Sequence, residues 1–189
     1  MSIHLCMVTA MTERLTKTDW IRHGLRVLAS EGQGALKVGP MATTLKVSRG
    51  SFYWHFKDMA DFEAQILSRW QEATTEEVIR QLETGKPGPE RLKHLMQRAF
   101  GETRKLDRAI RGWAANDGTV AAIVASVDSR RVDYIAGLLA ASGVAESQAR
   151  SRATFMYWAY LGQATVMEAR HATLPASAMD DISGLFERG

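Results

Sequence analysis

The stretch LKVGPMATTLKVSRGSFYWHFKDMADF, residues 36–62, sets four aromatic rings and a histidine in five consecutive positions, Phe52 to Phe56, between Arg49 and Lys57. A helix turns by about 100° per residue. Taking Phe52 as the inward direction puts Phe56 on the same side and leaves Gly50, Ser51, Tyr53 and Trp54 on or near the opposite face, with Arg49 and His55 at its flanks. The two phenylalanines are therefore expected in the core. A tyrosine and a tryptophan pointing outward from a two-turn helix, beside a glycine, gain nothing from packing within the chain. They read as a contact surface.

The residues on either side supply the frame for that helix. Pro40 suits a first helical turn, opening a short helix that buries Met41, Ala42 and Leu45, and Lys46-Val47 makes a turn before Ser48, a good N-cap for the next helix. Upstream, Ile21, Gly24, Leu25 and Leu28 follow helical spacing from about Thr18 to Glu31, and Gly32 ends the helix. His23 on this helix is expected to be solvated. Downstream, Asp58 with Asp61 caps a fourth helix, whose stripe of Met59, Phe62, Ile66, Leu67 and Trp70 continues to about Leu82.

Two short helices joined by a tight turn, the second basic and facing outward, are the parts of a helix-turn-helix, which lays its second helix in the DNA major groove. Arg49 can donate two hydrogen bonds to guanine, and Ser51 can donate or accept. Gly50 lets a base edge come close. Tyr53, His55 and Lys57 suit phosphate oxygens, the contacts that position a protein without reading sequence. Trp54 can pack on sugar or a thymine methyl.

Charge agrees with this placement. The chain has 189 residues and a net charge of +3, yet the residues up to Lys57 hold eight Lys/Arg against three acids, and the remainder is slightly acidic. A basic head on a near-neutral body suits a polyanion. The only cysteine is Cys6, which excludes an internal disulfide, argues against a cysteine metal site and fits a reducing, cytoplasmic setting. The longest apolar run, Ala153 to Gly162, is about half the ~20 residues of a membrane span, so no membrane association is expected. A signal peptide is not expected either, because Ile3 to Met11 lacks a basic flank.

Beyond the loop Gly85 to Pro89, helical stripes continue. Leu92, Leu95, Met96, Ala99 and Phe100 mark one helix, Ile110 and Trp113 another, and Val120 to Leu139 a long one ended by Gly143. A further helix is expected from about Ser147 to Ala172, then a last short one around Met179 to Phe186 after Pro175. With strand signals almost absent, the chain is expected to be all-α, with about nine helices. A three-helix DNA-binding head is assigned to residues 17–62 and a larger helical domain to residues 63–189.

The head, with its YWHF core and upstream VSRGS, resembles that of the TetR family of bacterial transcriptional regulators. The resemblance covers about a quarter of the chain. It implies that Arg49, Gly50, Ser51, Tyr53, Trp54 and His55 meet DNA; Lys37, Ser48 and Lys57 complete the candidate DNA-binding residues. Three positions depart from the family pattern. Lys46 stands where a turn glycine is common, Met59 where a phosphate-binding lysine is frequent, and Lys37 with Gly39-Pro40 where a polar cap commonly opens the second helix.

Residues 153–166, ATFMYWAYLGQATV, are apolar almost all round, and a helix apolar on every face must be buried on every face. The resemblance implies that its second partner is the same helix of another copy, giving a homodimer on a palindromic double-stranded operator. Trp158, Ala159, Gly162 and Thr165, with Ile182, Leu185 and Phe186 of the last helix, are the candidate interface. It also implies a pocket for a small effector, and Met96, Phe100, Ile110, Trp113, Met156, Tyr157 and Tyr160 are the candidates to line it. Charged residues are sparse in these stripes, so a neutral or weakly charged apolar effector is expected.

The expected function is a ligand-responsive regulator, a repressor more readily than an activator, with no cofactor. An alternative is a DNA-binding regulator whose body docks a protein instead of an effector. A remote alternative is a metalloenzyme, since Glu168 and His171 have the Glu-x-x-His spacing of di-metal bundles. That site needs a second such pair, and the chain has none. No phosphate loop, catalytic carboxylate pair or Ser/His/Asp order stands out, so an enzyme is not expected.

Overall fold

In the computed structural model, which describes residues 15–85, 88–101, 105–163 and 174–187, every regular element is helical. Among the described residues ten α-helices run in the order α1 (Lys17–Glu31), α2 (Val38–Thr44), α3 (Arg49–His55), α4 (Met59–Gln71), α5 (Glu77–Gly85), α6 (Gly88–Gly101), α7 (Lys105–Ala114), α8 (Gly118–Ala141), α9 (Glu146–Leu161) and α10 (Ala176–Glu187). A π-helical stretch, Glu72–Glu76, joins α4 to α5 without a break, so that among the described residues these two form one rod. Among the described residues no helix is long and apolar enough to cross a membrane.

The termini of the head helices follow from their capping chemistry. Thr16 and Asp19 form a reciprocal capping box at the start of α1, the Asp19 N–H donating to Thr16 Oγ1 at 3.2 Å and the Thr16 N–H to Asp19 Oδ2 at 2.9 Å. Gly32, at φ 83°, ends that helix. Asp58 caps α4, accepting the Asp61 N–H at 2.8 Å. Ser48 is the N-cap of α3, but its side chain makes no capping bond.

The turn between α2 and α3 is a helix C-cap of defined type. The Val47 N–H reaches back to the Ala42 carbonyl at 3.0 Å and the Lys46 N–H to that of Thr43 at 3.1 Å, the paired bonds of a Schellman motif. That motif requires a left-handed residue between them, and Lys46 supplies it at φ 57°. Gly143 does the same at φ 95° after α8, where Val144 bonds back to Leu139.

Two apolar cores result. The first joins Trp20, Leu28, Phe52, Phe56, Phe62, Ile66 and Trp70 to Ile110, Trp113, Val120, Val124 and Val127. It runs from the head through α4 into α7 and the start of α8, so residue 62 lies within a continuous helix and a continuous core. Trp20, Phe56 and Phe62 close on Phe52 with ring centroids 5.0 to 5.3 Å away. The second core unites α6, the latter half of α8, α9 and α10.

Within α1 the buried residues are Trp20, His23, Gly24 and Leu28, while Ile21 and Leu25 are only half-buried. His23 is therefore a core residue, which corrects the solvated placement expected above. The reason is that α1 packs against both α4 and α7, and two neighbours bury a wider arc than one.

Candidate nucleic-acid interface and interior cavity

The head presents α3 outward. Phe52 and Phe56 are sealed in the core, while Tyr53 is 60% and Trp54 74% exposed. Arg49, Gly50 and Lys57 are exposed beside them, as are Ser48 and Lys37, the N-cap residues of α3 and α2. The Arg49 guanidinium lies back over Gly39 at the start of α2: a Cβ on Gly39 would stand 2.8 Å from Nη2. Glycine there is thus the floor for a residue expected to reach DNA. Lys46, exposed in the turn, adds a further cation to the surface.

Two of the expected contacts are turned inward instead. Ser51 is half-buried and its Oγ accepts the Trp20 indole N–H at 3.4 Å. His55 is half-buried with Nε2 2.9 Å from the Leu15 carbonyl oxygen. Both brace α3 against α1 and the segment before it.

In the body, α5, α6, α8 and α9 and the π-helical stretch line a half-open cavity of about 90 Å³. Met96, Phe100, Met156, Tyr157 and Tyr160 line it as expected, but Ile110 and Trp113 do not. Those two belong to the first core, under α1 and α4. Periodicity shows which side of a helix is inward, not which of two interiors it faces.

The cavity also has a polar edge that the apolar stripes did not announce. Arg131 of α8 lies in its wall and donates Nε to Thr75 Oγ1 (2.9 Å), Nη1 to Asp107 Oδ2 (3.3 Å) and the Tyr157 hydroxyl (3.4 Å), and Nη2 to Thr74 Oγ1 (2.8 Å) and the Thr74 carbonyl (3.5 Å). Asp107 is buried on α7 and also accepts the Trp70 indole N–H at 2.6 Å and the Tyr160 hydroxyl. Alongside, Arg111 forms a fork on Asp128 at 2.6 and 3.0 Å, and the Tyr157 hydroxyl donates to Asp128 at 2.6 Å.

Electrostatics fix the protons in this network. Burial works against the charge of Arg131, but Asp107 beside it prevails and holds its pKa above the usual value. Burial pushes the Tyr157 hydroxyl up to about 12, so it stays protonated and donates. The sequence signal for these residues was an interruption. Val124, Val127, Arg131, Ile135 and Leu138 share one helical stripe, with an arginine in its middle. Thr74 and Thr75 are delivered by the π-helical stretch, a type of irregularity frequent at functional sites.

Three candidate positions, Thr165, Glu168 and His171, lie outside the described residues. Trp158 (64% exposed), Ala159 and Leu185 lie open on α9 and α10, while Gly162, Ile182 and Phe186 are half-buried. Phe155, not anticipated as an interface residue, is exposed on the same face of α9, its ring 6.1 Å from that of Phe186. Among the described residues no His/Cys/Asp/Glu cluster can hold a metal ion. No protein-family model matches the chain, and no curated protein matches it either.

Proposed function

We propose that this chain is a homodimeric DNA-binding transcriptional regulator, a repressor released by a small effector held in the cavity of its body. The observation that carries the reading is the outward face of α3. A short helix that follows a tight turn exposes a tyrosine and a tryptophan next to Arg49, Gly50 and Lys57, within the basic part of the chain. Large exposed rings among cations have a use against bases, sugars and phosphates. The resemblance of residues 36–62 to the TetR head supports the same role.

The dimer draws its support from α9, where Phe155, Trp158 and Ala159 form an exposed apolar face continued by Leu185 of α10. A patch of this kind on a soluble chain marks an interaction site, and a second copy supplies a matching one. The half-open pocket in the body is the support for an effector; the alternative reading is a protein docked on the body.

The test is selection of duplexes from a random-sequence pool by the full-length chain. A two-fold symmetric site, with half-sites about one DNA turn, ~34 to 36 Å, or more apart, is expected. Enrichment of no sequence, or binding equal on all sequences, would reject the reading.

A further inference from the structure

The Arg49 side chain has a defined place on the head although nothing polar holds it there. It is exposed, and among the described residues it has neither an ion pair nor a hydrogen bond, so all five N–H donors of its guanidinium are unspent. Arg69, Arg80, Arg111, Arg130, Arg131 and Arg150 are different, since each meets a carboxylate. What locates Arg49 is shape. A Cβ built on Gly39 would stand 2.8 Å from Nη2 and 3.4 Å from both Cζ and Nε. The guanidinium as a whole therefore fills the space that a side chain at 39 would need.

The backbone does not ask for glycine at this position. Gly39 lies in the first turn of α2 and is not among the glycines with positive φ, and within a helix glycine is a weaker former than alanine. Pro40 does crowd a β-carbon on the residue before it, but that cost falls on the fold and is the same whatever stands at 49. The three atoms nearest to a Cβ on Gly39 all belong to the Arg49 guanidinium, so the room that glycine leaves is room for this arginine.

On the DNA-binding reading of α3, on which this inference rests, the consequence falls on specificity. Fixing one rotamer of a long side chain costs entropy at the moment of binding unless the protein has already narrowed the choice. We infer that Gly39 is a positioning residue for base recognition: the pose in which Arg49 lies over it is the pose that reads a guanine, and a side chain at 39 pushes the fork off that base. A methyl group there must open the contact from 2.8 Å to roughly 3.5 Å. That shift is wider than the range of about 2.7 to 3.2 Å within which an N–H···O bond holds, so one of the two bonds of the fork is lost.

The test takes the operator that the full-length chain selects from a random pool and measures affinity for it and for its single-base variants. A two-bond fork is worth about 5- to 150-fold in preference per half-site, so loss of one bond should cut the preference roughly 2- to 12-fold. Gly39→Ala should show this cut at one symmetric pair of positions, the pair whose preference Arg49→Ala relaxes, with other positions and the salt slope unchanged. In the Arg49→Ala background Gly39→Ala should change nothing on DNA, while its effect on the thermal midpoint should be about the same in both backgrounds. In the free chain, in mildly acidic buffer, the Arg49 Nε–H resonance, identified by its loss in Arg49→Ala, should move in Gly39→Ala. A preference that is unchanged or sharper in Gly39→Ala, a loss spread over all sequences, the same loss without Arg49, or an unmoved Nε–H resonance would overturn the inference. A pool from which the parent selects no site rejects the DNA-binding reading itself, and this inference falls with it, so the two failures are told apart.

Discussion

Arg131 on α8 and Asp107 on α7 pair at 3.3 Å with both side chains almost sealed from water, and through Asp107 the pair reaches Trp70 on α4, the helix that continues into the head. Cavity, body and head thus meet at one carboxylate. Removing the arginine alone leaves that carboxylate buried without its counter-ion. Arg131→Met is expected to cost about 3 to 5 kcal/mol, read as the shift in the urea midpoint. Adding Asp107→Asn should recover part of the loss, because the stranded charge is gone. A single variant as stable as the parent would show that the pair is not a structural joint.

Lys46 occupies the left-handed position of the turn between α2 and α3. A side chain there costs roughly 1 to 2 kcal/mol relative to right-handed backbone, a cost glycine avoids. Lys46→Gly should therefore stabilise the chain by about 1 kcal/mol, less the extra freedom glycine has when unfolded. Lys46→Ala should give no such gain. If Lys46 also faces phosphate, both variants should flatten the salt dependence of DNA binding by about one unit, so stability and salt slope separate the two roles of one residue.

His23 is 6% exposed, and its Nε2 has no partner. Burial first, then Arg26, lowers its pKa in the folded chain, with Glu31 opposing. The folded value lies below the unfolded one, so below about pH 6.5 the unfolded chain takes up a proton that the folded chain refuses. The contribution of a neutral His23 is complete above that pH and is lost as pH falls through it towards the folded pKa. His23→Met should remove this dependence. The stability difference between parent and variant should drift in favour of the variant between pH 7.5 and 5.5; a constant difference would exclude His23 as the cause.

The head was legible because its signals are local. A two-turn helix leaves little freedom in which side faces inward, so Phe52 and Phe56 against Tyr53 and Trp54 followed from angle alone, and caps such as Asp58 need only their neighbours. What escaped depended on distant partners. Ser51 and His55 look like surface residues until Trp20 and Leu15 are brought beside them. Trp20 and His23 are buried because α7 returns to cover α1, which no pattern within α1 announces. Ile110 and Trp113 were rightly apolar and inward but serve the first core. Arg131 was hidden because a charge in an apolar stripe is understood only once Asp107, also interrupting a stripe, is seen opposite it.

Trp158 stands exposed on α9 in line with Phe155 and Ala159. If this face meets its equivalent in a second copy, Trp158→Arg puts an unpaired charge into an apolar contact. Light scattering at micromolar concentration should then give the monomer mass, with the circular dichroism of the helices unchanged because the residue makes little contact within its own chain. A dimer that persists in the variant would move the interface off this face.

Arg49 and Lys57 flank the exposed rings of α3, and their expected roles on DNA differ in kind. Lys57 follows α3, where a cation can meet the phosphate backbone. Lys57→Ala should weaken binding to all sequences about equally and flatten the salt dependence by about one unit for each phosphate no longer neutralised. Arg49 sits in the first turn of α3, next to Gly50, with its guanidinium resting over Gly39. Its fork can take both acceptors of a guanine. Arg49→Ala should therefore relax the preference at one symmetric pair of operator positions, at ~1 to 3 kcal/mol per half-site, and leave binding to random duplex much less affected. The discriminating measurement is affinity for every single-base operator variant at two salt concentrations, for both mutants. Should Arg49→Ala lose affinity uniformly with a reduced salt slope, Arg49 is a phosphate contact, and base reading on this face must fall to Tyr53 and Trp54.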